Sequence, residues 1–252
     1  MALSIISIFR RHGRQYIKDL RKAAIPEGFR GRPVISADIS PEEEKIAVTV
    51  CPAGAICTGP FTLDLGKCEF CIECSFATAG KIRFTNDHRM ATNLRESLFI
   101  KTGIDNPICT DPELTRKEIH SYFRHALKLR QVSAGGDNSA EMELTAAGNV
   151  NFDMGRYGIE FVASPRHADG IVITGPVNAN MAEALQICYE AVPSPKIVIL
   201  AGTAAISGGI FKDSPVVDRK FVENITPDLY VPGNPPHPLT FINGILDLIR
   251  KK

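Results

Sequence analysis

The sequence predicts an α/β fold in which a small cysteine-bearing module precedes a parallel-sheet domain. Three observations carry this. Four cysteines, Cys51, Cys68, Cys71 and Cys74, fall within a stretch of short apolar segments. Farther on, GIEFVAS, GIVITGPV and KIVILAG are short, nearly continuous apolar runs rich in Ile and Val, as strands buried on both faces require. Between the last two lies MAEALQICYEAV, long enough for the helical crossover that a parallel pair needs. At 252 residues, 44% hydrophobic and 23% charged, the chain suffices for two modest cores. Its net charge of +1 gives no global attraction to nucleic acid or membrane, so electrostatic partners must be read from local runs.

One such run opens the chain. Residues 1–22, MALSIISIFRRHGRQYIKDLRK, mix Ile5, Ile6, Ile8, Phe9, Ile17 and Leu20 with Arg10, Arg11, Arg14, Lys18, Arg21 and Lys22. They read as a basic amphipathic helix that either packs on its own protein or docks on a membrane surface or membrane subunit. The apolar part is too short to span a bilayer. It precedes the basic part and no small-residue cleavage site follows, which argues against a secretory signal. No other segment approaches transmembrane length, so the expected location is cytoplasmic, at most peripheral on the inner face of the cell membrane. The Pro/Gly-rich IPEGFRGRP completes residues 1–33 as a linker.

Residues 34–95 form the cysteine module, with IAVTV and KIRFT as its expected strands and a strand-turn-strand across VTVCPAGAI. Residues 96–132 connect. Within them DPELTRKEIHSYFRHALKLRQ, from Asp111 to Gln131, reads as a helix: Asp111 caps it, Pro112 suits its first turn, and Ile119, Phe123 and Leu127 recur at helical spacing. The polar stretch SAGGDNSAEMELTAAG breaks this pattern and opens the domain of residues 133–252. Loops at the carboxyl ends of parallel strands are where sites form, and here they are SPRHAD (164–169), GTAAISGG (202–209) and VPGNPPHP (231–238). A closing helix, PLTFINGILDLIRKK, ends on Arg250, Lys251 and Lys252, cations that suit a helix C-terminus.

The chemistry lies in the cysteines. A cubane cluster needs four thiolates converging on one small volume, and the C-x2-C-x2-C of KCEFCIEC supplies three, Cys68, Cys71 and Cys74. Bacterial ferredoxins take the fourth from a remote Cys-Pro, which here is Cys51-Pro52. A structural zinc site is the competing reading, although such sites usually pair two C-x2-C units. Cys57, Cys109 and Cys188 are isolated and read as small buried hydrophobes. The odd total of seven and the cluster motif both point to a reducing compartment and away from a disulfide framework.

From about Ser133 onward, YGIEFVASPRHADGIVITGPV, YEAVPSPKIVILAG, AISGGIF and DLYVPGNPPHP resemble the small-subunit family shared by respiratory complex I and the membrane-bound, energy-converting nickel-iron hydrogenases. With the cysteine module in front, the whole chain is similar to the small subunit of formate hydrogenlyase-type complexes. The resemblance implies a ferredoxin-like module with a single cluster, followed by a flavodoxin-like parallel-sheet domain. It also implies a hydrogenase-like large subunit and membrane subunits of the same complex as partners, with a ferredoxin as a further candidate and nucleic acid excluded.

The resemblance also shows what is missing. The family's own cluster is held by a paired C-x2-C, a third cysteine in a GxCA loop and a fourth in a PGCPP loop. Those positions are Asp137, Ala140, Ala204 and Asn234 here. Alanine cannot bind iron, and one Asp with one Asn does not complete a cubane that prefers soft thiolates. A two-cluster ferredoxin would likewise place cysteines at Pro41, Glu44, Ala47 and Thr78. Because the two ferredoxin motifs exchange their fourth ligands, the missing set belongs to one complete cluster and the retained set to the other. The expectation is one 4Fe-4S cluster, in a non-catalytic subunit of an oxidoreductase complex.

Two alternatives accompany that expectation. One is a non-redox assembly or scaffold protein with a structural cluster. The other is a small-molecule or hard-metal site in the emptied pocket, with Asp137, Glu141 and Asn234 as its polar groups. Arg166 and His167 in SPRHAD either face the large subunit's active region, as the resemblance implies, or are an arginine paired with a nearby carboxylate and a satisfied interface histidine. No Ser-His-Asp arrangement, phosphate-binding glycine loop or nucleic-acid motif is present, so catalysis is expected in a partner subunit.

Overall fold

The computed structural model describes residues 4–13 and 15–249. Arg14, and the basic end Arg250, Lys251 and Lys252 expected to complete the closing helix, lie outside the described residues. The first helix, α1 (Ile5–His12), is capped by Ser4, whose side chain accepts from the Ser7 N–H, and closes at Gly13 with φ +61°. It buries none of its residues. The expectation of one helix across residues 1–22 is thus corrected: α1 ends at His12, and after an irregular stretch from Gln15 the chain makes a 3-10 turn, Leu20–Lys22, whose Leu20 is buried.

The cysteine module follows as β1 (Pro33–Ile35), α2 (Pro41–Val50), β2 (Ile56–Cys57), β3 (Thr62–Asp64), α3 (Glu73–Ala77) and β4 (Ile82–Phe84). β1 and β4 pair antiparallel with Ile35 opposite Ile82, and β5 (Phe99–Lys101) joins β2 and β3 in a second small antiparallel sheet. The segment IAVTV is not the expected strand but the second half of α2. Its N-terminal signals decide this. The Ser40 side chain accepts from the Glu43 N–H, Glu43 accepts from the Ser40 N–H, Pro41 occupies the first turn, and three glutamates stand at the positive end of the helix.

The connecting segment departs from expectation in the same way. Only α4 (Lys117–Tyr122) is α-helical, and Leu127 begins β6 (Leu127–Ser133). In LKLRQVS the alternating pattern satisfies a strand, and pairing with neighbours on both sides outweighs the helical spacing of Ile119, Phe123 and Leu127. Next come α5 (Ser139–Ala146), within the stretch read as a polar break, then β7 (Ile159–Phe161), β8 (Gly170–Thr174), α6 (Ala179–Ala191), β9 (Ile197–Ala201), α7 (Thr203–Ser207), α8 (Lys220–Glu223), β10 (Leu229–Val231) and α9 (Pro238–Ile249).

The five strands run parallel in the order β10-β9-β8-β6-β7, the flavodoxin-like arrangement expected from the sequence. Successive residues face opposite sides. Ile171, Ile173, Val198 and Leu200 join a core with α6 that continues into the cysteine module, including Leu63, Cys68 and Cys74. Val172, Ile197 and Ile199 face a second core containing α9. Every residue of α9 except Asp247 is buried, because Leu20, Ile119 and Phe123 share its core from the side away from the sheet.

Candidate metal centre

The four cysteines stand at element ends. Cys51 terminates α2, and Cys74 lies in the first turn of α3. Cys68 follows β3 through a tight turn, its N–H donating to the Asp64 carbonyl at 3.0 Å. Asp64 is itself buried, accepting from the Gly66 N–H at 2.8 Å and pairing with Arg95 at 2.6 Å. Between Cys68 and Cys74 the backbone adopts left-handed conformations at Phe70 (φ 53°) and Ile72 (φ 66°). A β-branched residue there is an outlier that costs about 1–3 kcal/mol and persists only where its surroundings over-determine it. Arg30 donates to the Phe70 carbonyl at 2.9 Å and fixes this turn from outside.

The thiols sense one another. Burial pushes Cys74 up to about 11, with Cys51 and Cys71 adding to the rise, and burial raises Cys68 further, with the other three adding to it. Two sulfurs meet backbone donors: the Ala55 N–H lies 3.2 Å from Cys51 Sγ and the Phe70 N–H 3.4 Å from Cys68 Sγ. Four soft donors, two N–H···S contacts and a buried apolar surround match what a four-iron cluster takes from a protein. Among the described residues, no group of three or more His, Cys, Asp or Glu side chains is placed to hold a metal ion.

The four other front-module positions are occupied by ordinary structure. Pro41, Glu44 and Ala47 all lie on α2, which packs along α3, and Ala47 is fully buried. Buried Thr78 closes α3, donating to the Cys74 carbonyl at 2.7 Å and accepting from the Ile82 N–H at 3.2 Å.

The remaining four lie along the carboxyl edge of the parallel sheet. Asp137 accepts from the hydroxyl and N–H of Ser139 ahead of α5, Ala140 lies in α5, Ala204 in α7, and Asn234 in the loop after β10. A residue that spacing did not single out reaches them: Glu69, between Cys68 and Cys71, accepts a hydrogen bond from Asn234. Burial raises the Glu69 carboxyl, the Asn234 bond opposes this, and the charge of Asp137 adds to the rise. Gly209 passes so close to Glu69 and Ala204 that a Cβ there would lie 3.4 Å from the carboxylate and 3.3 Å from Ala204 Cα. A cavity of about 280 Å³, lined by Arg30, Glu69, Asn234 and His237 among others, opens beside them.

Asp137, Glu141 and Asn234 hydrogen-bond to separate partners. Glu141 is buried, and its Oε1 accepts from the Ser133 hydroxyl at 2.5 Å and the Thr174 hydroxyl at 2.6 Å. These are the last residues of β6 and β8, where the strand order reverses and α/β folds usually leave a crevice. Two further contacts were not legible in the sequence. Thr203 donates to the Cys68 carbonyl at 3.0 Å, and Arg219 donates to the carbonyls of Ala204, Ala205 and Ile206. The latter sets a cation at the C-terminal end of α7.

SPRHAD does not join this edge. Phe161 and Gly170 both pair with Leu129, so the loop between them crosses β6 well below Ser133, and Arg166 and His167 are exposed there. Of the isolated cysteines, Cys188 is half-buried while Cys57 and Cys109 are exposed, against the expectation of buried hydrophobes. No helix among the described residues is long and apolar enough to cross a membrane.

Residues 138–248 match the family model described as NADH ubiquinone oxidoreductase, 20 Kd subunit. Over 120 residues the chain is 37% identical to the probable membrane-bound hydrogenase subunit mbhJ of Pyrococcus furiosus, covering 48% of this chain and 72% of that one. An uncharacterized protein of Methanocaldococcus jannaschii is 41% identical over 131 residues, covering 52% and 87%. A subunit of the NADH-quinone oxidoreductase of Heliobacterium modesticaldum is 44% identical over 111 residues, covering 44% and 63%. Among solved structures, a chain from the membrane-bound sulfane sulfur reductase, an archaeal respiratory membrane complex, aligns with a TM-score of 0.45 at 28% identity, covering 52% of this chain and 72% of that one. The family match leaves the cysteine module outside it.

Proposed function

The chain belongs to the NADH ubiquinone oxidoreductase 20 Kd subunit family, and from that premise we propose that it is the iron-sulfur subunit of a membrane-associated, hydrogenase-like or complex-I-like oxidoreductase complex. In this reading Cys51, Cys68, Cys71 and Cys74 hold one 4Fe-4S cluster, and the parallel-sheet domain holds none. The observation that carries it is a contrast. Four mutually interacting thiols occupy the front module, while Asp137, Ala140, Ala204 and Asn234 line the sheet edge without a thiol among them.

Such a cluster, when bound, supplies a one-electron carrier. The chain's own residues do the rest: Ala55 and Phe70 direct N–H groups at sulfur, Arg30 holds the turn, and Thr203 fastens Cys68 to the sheet domain. A large subunit docks on the carboxyl edge, where Ile210, Phe211 and Val216 are exposed beside the emptied positions. Anaerobic purification with iron, sulfide and zinc analysis and low-temperature EPR tests the reading. The expected result is about four irons per chain and a reversible reduction signal. About eight irons would sink the single-cluster assignment, and zinc alone would sink the redox one. Co-purification with a hydrogenase-like large subunit tests the partner.

The structural-cluster reading has one specific observation in its favour. Cys68 and Cys74 belong to the same core as Ile171 and Leu200 of the sheet, so a cluster there would bind together two parts of the fold. A cluster that cannot be reduced without unfolding the protein would favour it.

A further inference from the structure

α1 is strongly two-faced and buries none of its residues. At about 3.6 residues per turn, Ile8, Ile5, Phe9 and Ile6 fall on one continuous arc, closed at its C-terminal end by His12, while Ser7, Arg10 and Arg11 occupy the opposite arc. The apolar residues are open to solvent: Ile5 is 69% exposed, Ile6 62%, Ile8 39% and Phe9 72%. An apolar face of this kind on a helix within a folded chain needs a partner.

The charges identify it. Arg10 and Arg11 border the apolar arc on its two sides, and no acidic residue occurs from Ser4 to Gly13. A groove in a partner protein would need only the apolar arc; cations on both flanks complement the phosphate layer of a lipid surface. The segment that follows carries exposed Lys18 and Lys22. It is also tethered to the body of the protein: Leu20 is buried, its carbonyl accepts from Asn243 at 3.2 Å, and the Ile17 N–H donates to the Asn151 carbonyl at 2.9 Å. Gly13, with φ +61° and open space around it, separates tether from helix.

We infer that α1 is an interfacial helix that lays Ile5, Ile6 and Phe9 into the headgroup boundary of a membrane containing anionic lipid, with Arg10 and Arg11 on the phosphates. The inference adds an attachment point to the membrane-associated complex proposed above, and it does not depend on the cluster. The test uses the full-length, cluster-loaded chain with sedimenting vesicles of phosphatidylcholine plus phosphatidylglycerol, or of phosphatidylcholine alone. Wild type should bind the anionic vesicles and weaken with salt, and binding should fall roughly ten- to thirty-fold for the Arg10→Gln, Arg11→Gln pair. Phe9→Glu should abolish it. Because α1 buries none of its residues, both variants should melt like wild type. Absence of binding to anionic vesicles, or equal binding by Phe9→Glu, overturns the inference. So does Phe9-dependent capture by the large subunit in lipid-free solution without vesicle binding, and that result would leave the subunit reading intact.

Discussion

Cys68 and Glu69 are adjacent in sequence and serve different halves of the molecule. Cys68 belongs to the thiol set of the front module, while Glu69 accepts from Asn234, 165 residues away. The spacing of the cysteines is legible because C-x2-C-x2-C is a local pattern, of the kind a cluster would impose. Glu69 is not, because nothing local marks a carboxylate whose partner is set by tertiary packing. Two predictions belong to this scale. Cys71→Ala should strip the chain of most of its iron and its EPR signal, whereas Cys57→Ala, at an exposed and isolated thiol, should leave both unchanged; equal iron in the two variants would refute the ligand assignment. His237 sets a pH dependence. Burial, with His88 nearby, lowers it from 6.5 to about 4, and its Nδ1 accepts from the Leu239 N–H at 3.2 Å at the start of α9. The unfolded chain takes up this proton below pH 6.5 and the folded chain only near pH 4, so its contribution is complete above pH 6.5 and is lost as pH falls toward 4. His237→Asn keeps a capping acceptor without a titrating ring. Urea midpoints measured from pH 7 to pH 4.5 should therefore fall less steeply in the variant than in wild type.

At the scale of elements, α2 and β6 show where local pattern and tertiary context part. The IAVTV run is rich in β-branched residues, yet the capping box at Ser40 and Glu43 starts a helix through it. In β6 the reverse holds, and hydrogen bonding on both sides turns a helical spacing into a strand. β8 and β9 were legible because burial on both faces leaves one reading, a continuous apolar run. β10 and α5 are short and bordered by polar loops, so periodicity had too few residues to act on. α2 carries Pro41, Glu44 and Ala47 and packs along α3, so its cap and its buried face should both contribute to the module's stability. Ser40→Ala should cost about 1 kcal/mol through the lost cap. Ala47→Leu, at a position with no exposed surface, should cost about 1–3 kcal/mol by overpacking against the module's core. Urea denaturation at neutral pH measures both; a neutral Ala47→Leu would mean that spare volume remains beside α2.

The whole molecule is joined through the cysteine turn. One continuous core runs from Leu63, Cys68 and Cys74 to Ile171, Ile173, Val198 and Leu200, and the Thr203 hydroxyl bonds the Cys68 carbonyl at the same junction. The left-handed Ile72 makes that turn costly without something to hold it. If a cluster holds it, removing iron should release strain on both sides of the junction. Hydrogen exchange before and after anaerobic chelation of iron should then show protection falling in α3 and also in α7, whose Thr203 bonds the Cys68 carbonyl and whose Ala204 carbonyl accepts from Arg219. β8, whose five residues are all buried in the centre of the sheet, should keep its protection. Loss confined to α3 would mean that the two halves are merely adjacent, and that the junction transmits nothing from the cysteine site to the edge where a large subunit would sit. Loss in both would give the cysteine site a measurable mechanical link to that edge, where Ala204 and Asn234 stand.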